Sequence, residues 1–362
     1  MYASLQTKYL SSSIFFFLFI CSVFNGSSQI RNAPLTKANI EAAEQHYQKY
    51  CTLCHGDDRE GDAADYAPSL KSKSLMSSIP LNFLASSIGF GRPNTAMAAY
   101  LTDMGGPLSM KEIYNLSIWL QYKAGHKTIE LSQDPINGDL KNGSLLFEKK
   151  CAECHGSKAE GVTAPALANP AFLAFATDAF IKYAIDNGRE YTEMKAYKNQ
   201  LTTEQRNDLT AYIRSLTSGW SPEPKELAPY PKPKDYVLNP AGESPEFNLL
   251  GSRYVPMLQV AEALKNNNKM VILDTRTSSE WHNAHIPGAI PMPYYISENK
   301  VAKHLPKDGT WIIAYCACPH AASDKIIDML RKQGYNNTAV IDEGFFGWIN
   351  AGHPVTAGEI DK

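Results

Sequence analysis

The apolar positions of this chain change their spacing three times. Ile14–Phe24 (IFFFLFICSVF) is an unbroken apolar run near the N-terminus. From about residue 35 to residue 220, apolar side chains recur at helical spacing. The closing stretch of each half carries Leu108, Leu116 and Trp119, then Leu201, Leu209 and Tyr212. Between Ser221 and Pro256 eight prolines interrupt any regular period. That segment predicts extended chain, either a semi-rigid linker or a strap across a domain surface. Beyond it, short apolar runs alternate with helical patterns. Met270–Asp274 (MVILD), Trp311–Tyr315 (WIIAY) and Thr338–Ile341 predict buried strands. Val255–Leu264, and Ser323–Gln333 with Ile326, Ile327 and Leu330, predict helices. Buried strands alternating with helices imply a mainly parallel sheet covered on its faces.

At 362 residues the chain exceeds one ordinary core, so two or three domains are expected. Its 35 basic and 37 acidic side chains give no reason to expect a nucleic-acid partner. Lys8 precedes the apolar run, and Gly26, Ser27 and Ser28 follow it. This order predicts a secretory signal over residues 1–28, cut before Gln29. The run is short for a bilayer span, and an uncleaved membrane anchor is the alternative. Cys21 is read as part of the signal. An extracytoplasmic, periplasmic location follows, where disulfides form. Of the seven cysteines, however, one lies in the signal and the other six in close-spaced pairs, with no disulfide framework evident.

Cys51-Thr-Leu-Cys54-His55 recurs as Cys151-Ala-Glu-Cys154-His155. C-x-x-C-H is an attachment signature of c-type haem: two thiols add to the vinyl groups and the histidine ligates iron. The pentapeptides sit in a longer repeat. Tyr47 and Phe147 precede the first cysteine by four residues, and Gly56/Gly156 and Gly61/Gly161 follow. Pro68/Pro165, Phe83/Phe180, Gly91-Arg92/Gly188-Arg189, Met97/Met194 and Tyr100/Tyr197 then hold one register. The first copy alone inserts four residues around Gly105-Gly106-Pro107.

These residues resemble class I cytochrome c twice over, across about 35–125 and 135–220. The resemblance implies two small all-α domains. In each, an N-terminal helix crosses a C-terminal one near Tyr47 and Trp119, or Phe147 and Tyr212. It also implies two covalent haems with His55 and His155 as proximal ligands. Pro68 and Pro165 would fix the imidazoles through their carbonyls. Met97 and Met194 are the distal candidates, each in a Gly-Arg…Thr-x-Met context. Met104 and Met110 are rivals in the first copy. His46 and His126 have no counterpart in the other copy and read as surface histidines. His/Met ligation fills both axial positions and favours outer-sphere electron transfer. Arg92 and Arg189 are candidates for propionate contacts, or are exposed loop residues.

The last third resembles a rhodanese domain over about 251–358. The residues that carry this are Asp274-Thr-Arg276, Glu280, His285-Ile-Pro-Gly288-Ala289, Cys316 at a strand end, and Glu343-Gly344-Phe-Phe-Gly-Trp348. In that family the strand-end cysteine carries sulfane sulfur as a persulfide, and Cys316 occupies that place. A thiolate there is favoured by backbone amides and the following helix. The loop Cys316-Ala-Cys318-Pro-His320-Ala-Ala-Ser323 departs from the family by lacking an arginine. That argues against a dianionic donor such as thiosulfate. Cys318 and His320 are further candidates, to resolve a persulfide and to lower a thiol pKa. A soft-metal site in this loop, or a strand-end thiol in a binding module, are the other readings.

The expected architecture is multidomain: a signal (1–28), two all-α cytochrome c domains, a Pro-rich segment (221–250) and an α/β rhodanese-like domain. The expected function is electron transfer with sulfane-sulfur or thiol handling at Cys316. The alternatives are a pure electron carrier whose last domain only binds, and a sulfurtransferase whose haem half serves elsewhere. Expected partners are redox proteins: a quinol-oxidising complex, a terminal oxidase or a sulfur-oxidising enzyme. A sulfane-sulfur donor is a further expected partner.

Overall fold

The computed structural model describes residues 36–61, 67–92, 95–216, 227–317 and 320–356. The expected signal, with Cys21, and the candidate Cys318 lie outside the described residues. No described helix is long and apolar enough to cross a membrane.

The first helical unit comprises α1 (Lys37–Tyr50), α2 (Thr52–His55), α3 (Lys73–Ser78), α4 (Leu81–Phe90) and α5 (Met110–Ala124). The second comprises α6 (Leu140–Lys150), α7 (Ala152–His155), α8 (Pro170–Phe175), α9 (Asp178–Asn187) and α10 (Thr203–Ser215). Local chemistry fixes the ends. Ser109 with Glu112 starts α5, and Thr202 with Gln205 starts α10, both as reciprocal capping boxes. In each unit the first and last helices cross on aromatic pairs. Tyr47 and Trp119 have ring centroids 5.3 Å apart, and Phe147 and Tyr212 5.4 Å.

One apolar core continues through both units. Phe83 meets its repeat counterpart Phe180 at 5.3 Å and Phe172 at 5.7 Å. Contact between equivalent positions gives the junction a pseudo-two-fold character. Polar groups close its edge. Glu190 accepts from Ser72 Oγ (2.7 Å) and the Ser74 amide (2.8 Å), and Ser74 Oγ donates to the Gly188 carbonyl (2.9 Å).

The third unit is built on β1 (Tyr254–Val255), β2 (Met270–Asp274), β3 (Ile290–Pro291), β4 (Trp311–Tyr315) and β5 (Thr338–Ile341). The order is β1-β5-β4-β2-β3 and every pairing among them is parallel. Between them run α11 (Met257–Lys265), α12 (Ser278–Asn283), α13 (Glu298–Val301), α14 (Ala321–Lys332) and, last, α15 (Gly344–Asn350). Alternate strand residues feed two cores. Ile272 and Ile313 face one, while Val271, Leu273, Ile312 and Ala314 face the other. A sheet buried on both faces needs strands without polar alternation, which is why MVILD and WIIAY read as they do.

Two sequence expectations shift. The helix expected from Val255 begins at Met257, because Tyr254–Val255 pairs with β5. The described part of the Pro-rich segment is a strap. Leu238 exchanges backbone bonds with Met270 at 2.8 and 3.3 Å, and Phe247 and Leu249 pack on the core beneath.

Candidate functional site

In both helical units the C-x-x-C-H residues form a single helical turn after the first long helix. His55 and His155 amides bond the Cys51 and Cys151 carbonyls at 2.8 and 2.9 Å. His55 Nδ1 lies 3.0 Å from the Pro68 carbonyl oxygen, and His155 Nδ1 lies 2.8 Å from that of Pro165. A carbonyl only accepts, so each Nδ1 carries the proton and each Nε2 keeps its lone pair. Burial holds both imidazoles below the usual histidine range. They are therefore neutral at pH 7, the form that binds a metal.

The segments carrying Met97 and Met194 close on themselves with one set of bonds. The Arg92 amide donates to the Met97 carbonyl (2.7 Å), and the Arg189 amide to that of Met194 (2.9 Å). Thr95 and Thr192 hydroxyls each donate back to the arginine carbonyl at 2.8 Å. The same hydroxyls accept from the Met97 and Met194 amides, both at 3.1 Å. Gly91 and Gly188 permit the turn at φ 67° and 68°. A Cβ at Gly91 would lie 2.6 Å from the Met97 carbonyl oxygen, and one at Gly188 would collide with that of Met194. Met97 and Met194 are both half-buried. Met104 and Met110 pack on the common core, and His46 faces Glu112 at 3.7 Å.

Arg92 and Arg189 are not exposed loop residues. Arg92 lies over Phe83 (5.4 Å) and, across the junction, Phe172 (5.5 Å). Arg189 lies over Phe180 (5.1 Å) and donates across the junction to the Ser74 carbonyl (3.1 Å). Burial pulls both guanidinium groups down to about 10. Neither forms an ion pair with a described carboxylate. Arg92 Nη2 donates only to Ser87 Oγ, at 3.4 Å, while Arg59 Nη1 and Trp119 Nε1 are buried without a hydrogen-bond partner among the described residues. Half-buried cations without a carboxylate, and buried donors without an acceptor, call for an anionic or accepting group, since leaving them unmatched is costly. The residues present thus fit a prosthetic group with carboxylates, two thiol-reactive positions and a metal.

In the α/β unit the C-terminal strand edge gathers Asp274, Tyr315 and Cys316. Asp274 is fully buried and takes a fork from Arg276, Nε at 3.0 Å and Nη2 at 2.6 Å. Tyr315 Oη adds a third bond at 2.8 Å, and Arg276 stacks on Phe345 at 3.7 Å. Because Arg276 is committed to Asp274, burial wins at Glu280, which is pushed up to about 7. Cys316 is 5% exposed, and Ser323 Oγ donates to its Sγ at 3.4 Å. The Phe345 amide bonds the Cys316 carbonyl at 2.8 Å, tying the strand end to α15. His320 Nε2 donates to the Asp342 carbonyl, and its ring packs on Tyr254 at 4.3 Å. The expectation that His320 activates Cys316 thus meets a side chain engaged elsewhere, as the anchor of the α14 start.

Sequence reasoning missed Tyr294. Its hydroxyl donates to the Tyr50 carbonyl at 2.6 Å and lies 2.7 Å from Tyr100 Oη. The signal available was the tyrosine pair 294–295 beside β3, which has no meaning until the units are packed together.

Comparison with known proteins agrees with this division. The model for "Cytochrome C oxidase, cbb3-type, subunit III" matches residues 38–120, that for "Cytochrome c" residues 140–217, and that for "Rhodanese-like domain" residues 257–351. Cytochrome c6 of Thermosynechococcus vestitus is 31% identical over 98 residues, covering 26% of this chain and 85% of that protein. A sulfurtransferase of Allochromatium vinosum is 26% identical over 100 residues, covering 28% of this chain and 91% of its own. Arsenate reductase 2.1 of Oryza sativa subsp. japonica is 26% identical over 116 residues, covering 28% and 70%. Cytochrome c domains imply covalently bound haem c, electron transfer and redox partners, and a rhodanese-like domain points to sulfur-related function. The chain belongs to the cytochrome c family, with cytochrome c domains followed by a C-terminal rhodanese-like domain.

Proposed function

We propose that this chain is an exported di-haem cytochrome c whose rhodanese-like domain handles sulfane sulfur or thiols through Cys316. The observation that carries the haem half is the duplicated site. Each copy joins a Cys-pair turn, a histidine held through Nδ1 by a prolyl carbonyl, a closed Gly-Arg…Thr-x-Met segment and a half-buried arginine. Cys51, Cys54, Cys151 and Cys154 would hold two haems covalently. His55 with Met97, and His155 with Met194, would ligate the two irons. Arg92 and Arg189 would meet the propionates. Haem c held by these residues would supply one-electron transfer chemistry. The residues themselves orient the imidazoles, exclude water with the Phe83–Phe172–Phe180 cluster, and hold positive charge at the junction. The signal-like N-terminus supports export, since haem c is attached outside the bacterial cytoplasm. The partners we propose are a quinol-oxidising complex, a terminal oxidase or a sulfur-oxidising enzyme.

The sulfur half rests on the position of Cys316, at the C-terminal edge of a parallel sheet where such folds place their sites. Without a loop arginine, the favoured donors are polysulfide or an organic persulfide rather than thiosulfate. Persulfide labelling and mass spectrometry should find added sulfur on Cys316 first, and Cys316→Ser should abolish it. A second reading, a redox carrier with a binding module, is favoured by the burial of Cys316 and the engagement of His320. It would be chosen by a folded protein that gains no sulfur from any donor and whose Cys316 resists alkylation.

A further inference from the structure

The rhodanese-like domain touches the Cys51–His55 turn of the first cytochrome domain, whereas Lys150 before its twin is exposed among the described residues. In the second cytochrome domain Tyr197 Oη donates to the Lys150 carbonyl, just before Cys151, at 3.1 Å. Lys150 is exposed there and Tyr197 half-buried. In the first, the matching Tyr100 Oη lies 3.2 Å from the Tyr50 carbonyl, just before Cys51. Tyr294 of the rhodanese-like domain enters this bond. It donates to the same carbonyl at 2.6 Å and stands 2.7 Å from Tyr100 Oη. A hydroxyl has one hydrogen, so the short contacts define a chain, Tyr100 to Tyr294 to Tyr50.

Three further contacts make this a built junction. Tyr295 meets Tyr50 edge-on at 5.0 Å. Ser279 Oγ donates to the Ala99 carbonyl at 2.6 Å. The four-residue insertion unique to the first copy approaches α12 so closely that a Cβ on Gly105 would lie 2.7 Å from His282. The insertion closes on its own domain through the Gly106 amide, which donates to the Leu101 carbonyl at 2.8 Å, and it presents Gly105 to Ser279 and His282. From Tyr294 the bonds continue inward. Its amide donates to the Thr275 carbonyl (3.0 Å), and the Thr275 hydroxyl donates to the Tyr315 carbonyl (2.8 Å), one residue before Cys316.

We propose that Tyr294 is the positioning residue that seats the rhodanese-like domain on the haem-bearing turn of the first cytochrome domain and makes the two haem sites inequivalent. By the same contacts it joins the Cys316 strand end to Cys51 through an unbroken run of covalent and hydrogen bonds. This rests on the di-haem reading above only for the identity of the group held at Cys51.

The test is Tyr294→Phe in the full-length haem-loaded protein, read by amide hydrogen exchange and by the haem-methyl NMR resonances. Loss of one net hydrogen bond should speed exchange across Cys51–His55 by about two- to tenfold. Cys151–His155 should be unchanged, and one of the two sets of haem-methyl resonances should move. Ser279→Ala, at the same junction but away from the tyrosines, should act on the same turn in the same direction. Equal effects on both turns, or none on Cys51–His55, would overturn the assignment. Haem content is measured separately: a count other than two per chain defeats the di-haem reading, whereas the contrast in exchange between the two turns judges Tyr294.

Discussion

Arg276→Ala should destabilise the rhodanese-like domain by about 3–5 kcal/mol, the range for stranding one member of a buried ion pair. Asp274 has no exposure to solvent and receives two of its bonds from this guanidinium. The Tyr315 hydroxyl (2.8 Å) and the residue-276 backbone amide (3.1 Å) would remain on the carboxylate, with no cation to balance it. The stacking of Arg276 on Phe345 would be lost as well. The penalty should depend on pH. Without Arg276, Glu280 loses the cation that opposes its burial-raised pKa, so the folded form binds that proton more tightly. Stability from that group is then complete below the unfolded pKa and declines as pH rises through the folded one. With Arg276 in place, burial has already raised that folded-state pKa to about 7. Urea unfolding at pH 5 and pH 8 should therefore show a larger gap from wild type at pH 8. A gap that is equal at both values, or under about 1 kcal/mol, would mean that the carboxylate relaxes into solvent.

Met97→Ala and Met194→Ala should each abolish about half of the weak near-infrared band of oxidised Met-ligated haem, and the double variant all of it. The prediction follows from the two identically closed segments, in which Thr95 and Thr192 fix the Met97 and Met194 amides. Met104→Ala should leave the band intact, because Met104 packs on the core from an insertion that the second copy lacks. Retention of the full band in either single variant would displace that methionine as ligand.

The sheet was legible where its strands are long. MVILD, WIIAY and Thr338–Ile341 have no competing helical period, and they occupy β2, β4 and β5. Tyr254–Val255 and Ile290–Pro291 were not legible, since two residues carry no period and form strands only because β5 and β2 offer edges. The helical repeat was legible because covalent chemistry fixes its spacing and burial fixes its aromatics. What sequence could not reach depends on how the parts pack. The fate of Arg92 was open between cofactor partner and exposed loop residue until Phe172 of the other copy lay over it. His320 looked available to Cys316 by proximity in the chain, yet the start of α14 turns it toward Asp342. Tyr294 carried no motif, and the inserted Gly105-Gly106-Pro107 looked like an ordinary loop until Ser279 and His282 stood against it.

The central claim is that both C-x-x-C-H turns hold haem covalently in one chain. Acid–acetone extraction followed by alkaline pyridine spectroscopy on the denatured protein tests it most directly. Two haems per chain should survive extraction, with alanine at Cys51 and Cys54 leaving one. A single covalent haem in the wild-type chain, or haem that extracts freely, would contradict it.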